Sequence, residues 1–187
     1  MRIISGKFRN KKLYFPKNFT TRPLKDSVRE NIFNILEHSK NINFQIKDSY
    51  VADLYAGTGS FGLECLSRNA SLALFVEKDK EALTNLKKNI LNLSVINQAK
   101  IYSDDVLKFF KNSTFKKKID LCFLDPPYKN EDYIDTIEIL KKKSVLNKNH
   151  ILVLHREKGF KDRPLENLNI IENRVYGRSQ IFFLRLF

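Results

Sequence analysis

The sequence predicts an α/β protein: a mostly parallel, doubly wound sheet with helices on both faces and an antiparallel last strand. Three observations predict it. Strand-like and helix-like segments alternate from residue 49 to residue 155, the signature of consecutive βαβ units. Gly57, Gly59 and Gly62 form a G-x-G-x-x-G turn between a strand and a helix. Two strand-like stretches, Ile170 to Tyr176 and Gln180 to Phe187, are joined by Tyr176-Gly177-Arg178-Ser179. That connection is short enough for a hairpin, and hairpin partners run antiparallel.

Length and composition bound the rest. The 187 residues suit one domain with an appendage, and 42% hydrophobic residues supply a sizeable core. Lys+Arg number 34 against 21 Asp+Glu, a formal charge of +13 that suits a polyanionic partner. Cys65 and Cys122 sit in apolar contexts without a C-x-x-C neighbour, as small buried hydrophobes of a reducing compartment do. His38, His150 and His155 are dispersed and give no metal-ligand spacing, so no metal is expected. No apolar run approaches the ~18 residues of a membrane span. The first residues lack the apolar core of a signal peptide, and a cytoplasmic protein is expected.

The elements follow in order. Residues 1 to 17 carry Arg2, Lys7, Arg9, Lys11, Lys12 and Lys17 and no acid. Apolar Ile3-Ile4 and Leu13-Tyr14-Phe15 flank a polar centre, which predicts a hairpin with a cationic tip. Through residue 30 there are nine basic residues against two acids, so about half of the net charge lies in a sixth of the chain. Such clustering favours a nucleic-acid face over a uniformly charged surface. After the loop Thr20-Thr21-Arg22-Pro23, Asp26 or Ser27 is placed to cap a helix whose apolar stripe is Val28, Ile32, Ile35 and Leu36. Arg29 lies early on that helix, and Asn41 to Asp48 reads as a linker.

Ser49 to Tyr55 is the first strand, and Asp53-Leu-Tyr-Ala-Gly-Thr-Gly-Ser-Phe-Gly62 leaves it for a helix spanning Phe61 to Asn69. Glycines let the backbone approach a ligand, and the helix N-terminus offers free N–H groups. An acid at Asp53, four residues before Gly57, would repel a pyrophosphate and suit an ammonium group instead. The second strand, Leu72 to Val76, ends in Glu77, twenty residues past Gly57, where a ribose hydroxyl acceptor is expected. A helix follows over Lys80 to Leu93, then a short strand at 100–103, then Asp104-Asp105 before the helix Val106 to Lys111. Asp105 suits an adenine amine, a helix cap, or both.

The fourth strand, Ile119 to Leu124, runs into Asp125-Pro126-Pro127-Tyr128. Neither proline has an N–H for a sheet ladder, so the strand must stop there. The stop presents a carboxylate, a carbonyl and an aromatic ring together, a socket for the amino group of a nucleobase. Asp132 to Leu140 is helical and Ile151 to Leu154 is the fifth strand. Asp53, Glu77, Asp105 and Asp125 thus stand at the carboxyl ends of successive strands, where such sheets bind ligands. The series favours a ligand with amines and hydroxyls and no phosphate, such as S-adenosylmethionine, over NAD.

The stretches Asp53 to Ala70 and Asp125 to Tyr128 resemble class I S-adenosylmethionine-dependent methyltransferases. More closely, the chain is similar nearly end to end to the bacterial small-subunit (16S) ribosomal RNA guanine-N2 methyltransferases. The similarity includes Arg2 to Arg9, Arg22-Pro23, Asp26, Val28-Arg29-Glu30, Ile32 to Leu36 and Tyr176-Gly177. Leu24 and Ser27 depart from the family pattern. The resemblance implies a seven-stranded sheet and S-adenosylmethionine as cofactor. It implies Gly57 and Gly59 under the methionine end, with Tyr55 beside them. It also implies Asp53 toward the ammonium, Glu77 on the ribose and Asp105 on the adenine amine. Asp125, Pro126, Pro127 and Tyr128 are the implied catalytic group. Arg2, Lys7, Arg9, Lys11, Lys12, Arg22 and Arg29 are the implied contacts to small-subunit ribosomal RNA, free or in an assembling subunit. A basic extension over 1–47 would precede a methyltransferase domain over 48–187, in a monomer. Two other functions share these features: a DNA adenine-N6 or cytosine-N4 methyltransferase, and a non-catalytic ribosome-assembly protein.

Overall fold

The structure is a computed structural model that describes residues 1–16, 24–127, 132–159 and 168–186. Arg22 and Tyr128, each expected to bind RNA or substrate, lie outside the described residues. Among the described residues, seven strands form one sheet in the order β3-β2-β1-β4-β5-β7-β6. They are β1 (Tyr50–Leu54), β2 (Leu72–Glu77), β3 (Ala99–Ser103), β4 (Ile119–Leu124), β5 (Leu146–Glu157), β6 (Asn169–Tyr176) and β7 (Ser179–Arg185). The first five are mutually parallel, and β7 is antiparallel to both of its neighbours, as the hairpin at Gly177 requires. The order reverses between β1 and β4, which places the crevice for a ligand at their carboxyl ends.

The period of two along each strand sorts the core into two layers. Val51, Leu121, Phe123, Ile151 and Val153 face α1 (Asp26–His38), α2 (Ser60–Ser67) and α3 (Lys80–Asn92). Ala52, Leu54, Cys122, Leu124, Leu152 and Leu154 face α4 (Val106–Asn112) and α5 (Asp132–Lys142). The central strands β1, β2 and β4 are buried almost completely and read as near-continuous apolar runs, whereas the edge strand β3 is half-exposed. The β5 strand is longer than the expected four residues because it pairs with β4 on one side and β7 on the other.

The N-terminal segment forms a tight hairpin, closed by an Arg2–Lys12 bridge and turned by a 3-10 segment, Gly6–Phe8. Ile3 and Leu13 are buried in the same layer as α1 and α2, so this arm shares the core of the sheet. Leu24, at a position where the family pattern differs, is buried there too. At α1, neither Asp26 nor Ser27 caps the helix. Lys25 occupies the cap position without a side-chain bond, and Asp26 instead pairs with the buried Arg29 at 3.0 Å. No helix among the described residues is long and apolar enough to cross a membrane.

Candidate active site

The glycine turn is built around three residues with left-handed backbone: Tyr55 (φ 61°), Gly57 (φ 55°) and Gly59 (φ 81°). At Gly59 a Cβ would sit 2.3 Å from Leu86 Cδ1, so a side chain there would collide with α3. Around Gly57 a Cβ would meet nothing within 4 Å, which leaves this backbone open to a ligand. Tyr55 adopts a conformation that costs a non-glycine residue about 1–3 kcal/mol, as residues at functional turns often do. Its hydroxyl lies 3.3 Å from Thr136 Oγ1 on α5, and burial pushes the phenol up to about 12.

The acids are tied to this turn. Asp53 is 2% exposed, and its Oδ2 accepts the Gly62 N–H at 2.9 Å, in the first turn of α2. Desolvation holds its carboxyl well above the usual carboxylate range, with the charges of Asp125 and Glu77 adding to the rise. Glu77 Oε2 accepts from Gly57 N at 2.7 Å, and its Oε1 accepts from Lys78 N and Asp79 N, both at 2.8 Å. A carboxylate has about four acceptor sites, so three are already engaged. Asp105 caps α4 by accepting from Leu107 N and Lys108 N, and its other oxygen receives Lys78 Nζ at 3.2 Å. Partial burial works to raise the Asp105 carboxyl, but these donors bring it below its ordinary value.

Asp125 extends the face of β4 that carries Leu121 and Phe123, and Tyr55 and Asp125 follow the paired residues Leu54 and Leu124 of adjacent strands. The same parity on β5 puts His155 beside Asp125, with Nδ1 2.7 Å from Asp125 Oδ1. The next residue, Arg156, is buried on the opposite face. It stacks over the Tyr133 ring of α5 at 4.5 Å and reaches the Pro127 carbonyl at 3.5 Å. Pro126 is buried and Pro127 exposed. Sequence reasoning passed over His155 and Arg156 because their partners lie about thirty residues away and become neighbours only through strand register.

The basic arm presents Arg2, Lys7, Arg9, Lys11 and Lys12 at the surface. Arg29 does not join them. It is 0% exposed and donates to the Arg2 carbonyl and to Asp26, so the expected phosphate contact is replaced by a backbone anchor for the arm. Two further anchors were missed from sequence. Buried Glu64 on α2 accepts from Ile4 N at 2.7 Å, Ser5 N at 2.9 Å and Arg68 Nε at 3.0 Å. Buried Asn89 on α3 accepts from Tyr14 N at 2.6 Å and donates to Tyr14 O at 3.1 Å. It also donates to Thr58 O, inside the glycine turn, at 3.0 Å. The visible signal was a polar side chain standing in an otherwise apolar helical stripe.

A family described as "Conserved hypothetical protein 95" matches residues 1–185. The chain is 33% identical over 180 residues to "Ribosomal RNA small subunit methyltransferase D" of Buchnera aphidicola, covering 96% of this chain and 90% of the relative. It is 33% identical over 181 residues to the protein of the same name from Haemophilus influenzae, with 95% and 89% covered. A solved structure described as "Putative methyltransferase yhhF from Escherichia coli" superposes with a TM-score of 0.82 at 28% identity, covering 98% and 96% of the two chains. Acids at four strand ends, an open glycine turn and agreement along the whole length converge: the chain belongs to the bacterial ribosomal RNA small subunit methyltransferase D family, on the class I methyltransferase fold.

Proposed function

We propose that this protein transfers a methyl group from S-adenosylmethionine to the exocyclic N2 amine of a guanine in small-subunit (16S) ribosomal RNA. The observation that carries the reading is the acidic crescent itself: Asp53, Glu77, Asp105 and Asp125 stand at or just past the carboxyl ends of four neighbouring strands, around a glycine turn whose backbone is open at Gly57. Such a crescent fits a cationic, hydroxyl-rich ligand that lacks phosphate. When bound, the cofactor supplies an electrophilic methyl group on sulfonium sulfur.

The residues of the chain do the rest. Asp53 faces the ammonium, with Gly57 and Gly59 under the methionine end and Tyr55 walling it. Glu77 takes the ribose. With three of its acceptor sites engaged, holding both hydroxyls requires it to release one of these N–H groups. Asp105 keeps its capping role and offers its outer oxygen to the adenine amine in place of Lys78. Asp125 and the Pro126 carbonyl accept the two protons of the guanine amine. That pairing favours a pyramidal nitrogen, whose lone pair is otherwise delocalised into the ring, and positioning of this kind supplies much of the rate. Asp125 stabilises the positive charge that builds on nitrogen and takes its proton. Pro127 stiffens the turn, and Tyr128 stacks on the guanine, splayed from its loop as single-stranded RNA bases commonly are. The protein acts as a cytoplasmic monomer, its extension over 1–47 facing RNA and its domain over 48–187 holding the cofactor.

The deciding experiment supplies labelled methyl donor together with small-subunit particles or RNA from cells lacking this protein, and DNA alongside. Label in small-subunit RNA, recovered as N2-methylguanosine, is expected. Label in DNA alone, or none anywhere with cofactor binding absent, overturns the reading.

Two further outcomes follow. Asp53 is protonated to an unusually high pH before a cation arrives, chiefly through desolvation, and a cation stabilises its charged form. Cofactor binding therefore expels a proton below the raised Asp53 pKa. Affinity rises with pH through that window and levels off above it, about tenfold per pH unit at most. Calorimetry in buffers of different ionisation enthalpy reads this proton, and it disappears in Asp53→Asn. Second, neutralising Lys7, Arg9, Lys11 or Lys12 should lower the slope of log affinity against log salt by about 0.7 for each phosphate no longer paired on single-stranded RNA. The weakening should be uniform across RNA sequences, measured by filter binding across a salt series.

A further inference from the structure

We propose that His155 is a positioning residue for methyl transfer, its Nδ1 holding Asp125 Oδ1 so that the carboxylate meets the substrate amine in one orientation. The inference rests on the amino-methyltransfer reading above. An aspartate at a strand end ordinarily orients its carboxylate by accepting from the N–H two residues on. Here that residue is Pro127 and the intervening one is Pro126, and neither has an N–H. The turn that stiffens the Asp125 backbone therefore removes the local means of fixing its side chain.

The neighbouring strand makes up the deficit. Leu124 pairs with Leu154, so the next residues, Asp125 and His155, project from the same face of the sheet one strand apart. The imidazole side chain is 4% exposed and the carboxylate 24%, with 2.7 Å between Nδ1 and Oδ1. One carboxylate oxygen is thus held from the protein side while the group still reaches the open crevice. An ionised carboxylate only accepts hydrogen bonds, so the shared proton sits on Nδ1 while Asp125 is charged. The β5 strand is a firm base for this contact because it is paired on both sides, with β4 and β7. From its other face Arg156, packed on Tyr133, reaches the Pro127 carbonyl. Consecutive residues of one strand hold the two ends of the Asp-Pro-Pro turn.

The consequence is kinetic. With the carboxylate free to rotate, the amine still binds but samples misaligned poses, and misplacement on the order of 1 Å costs up to about 10²-fold in rate. Replacing His155 with leucine, similar in bulk but without a donor, should lower kcat about 10–100-fold at unchanged KM for the cofactor. Replacing it with asparagine, whose Nδ2 donates from a place close to that of Nδ1, should recover most of the loss. In protein labelled with 15N-histidine, Asp125→Asn should shift the His155 Nδ1 resonance, a readout independent of turnover and of either His155 variant folding. A folded His155→Leu with the kcat of the unsubstituted protein overturns the inference, as does an asparagine variant no better than leucine. So does a His155 Nδ1 resonance unmoved by Asp125→Asn. Unsubstituted protein that methylates no guanine N2 overturns the reading and the inference with it, whereas active protein beside an equally active His155→Leu overturns the inference alone.

Discussion

Replacing Asp125 with alanine should abolish most methylation of guanine N2, with kcat falling about 10²–10⁴-fold, the range for a lost acid–base group or charge stabiliser. The side chain is 24% exposed at the end of a buried strand, so truncation leaves no void in the core. Cofactor affinity should change little, because Asp53, Glu77 and Asp105 are unaltered. The comparison is a single-turnover assay beside calorimetry of the cofactor. Full guanine methylation by the alanine variant would remove Asp125 from the chemistry. Asp125→Asn is the more telling substitution: it keeps an acceptor for the amine but adds a donor and loses the negative charge, so it separates orientation from charge stabilisation.

The largest expected loss of stability comes from Glu64→Ala. The carboxylate is fully buried and receives two backbone N–H groups of the arm plus Arg68 Nε. Removal leaves these donors without their acceptor, in a setting where breaking one side of a buried charge pair costs about 3–5 kcal/mol. For a chain of this size that corresponds to a fall in Tm of about 10 °C, measured by thermal unfolding. Glu64→Gln should recover only part of it. An amide has one oxygen, and its NH2 would face an N–H that also needs an acceptor. A glutamine variant as stable as the original would mean that solvent readily replaces these contacts.

How much was legible in the sequence depended on whether a feature is local. Asp53, Glu77 and Asp125 were legible because each follows an apolar run directly, and a parallel sheet places all such ends on one side. The carboxyl end of β4 agreed to the residue because two prolines terminate that strand chemically. Arg29 was misread because helical spacing alone does not say whether an arm from twenty-seven residues earlier lies across the helix and buries it. The Asp125–His155 contact was invisible for a related reason: register between β4 and β5 is set by the whole core, and it shifts between Ile119 and Leu121. Glu64 and Asn89 bind main-chain groups of the arm, which carry no residue-specific signature that a reader could match to them.

The Asn89 side chain has a thermodynamic consequence. With one amide it grips the arm at the N–H and carbonyl of Tyr14 and the glycine turn at Thr58. Force on the cationic arm is therefore transmitted to the glycine turn, the proposed seat of the methyl donor. If docking of RNA on the arm tightens or loosens that turn, the methyl donor must alter RNA affinity by the same factor, because linkage between two binding equilibria is reciprocal.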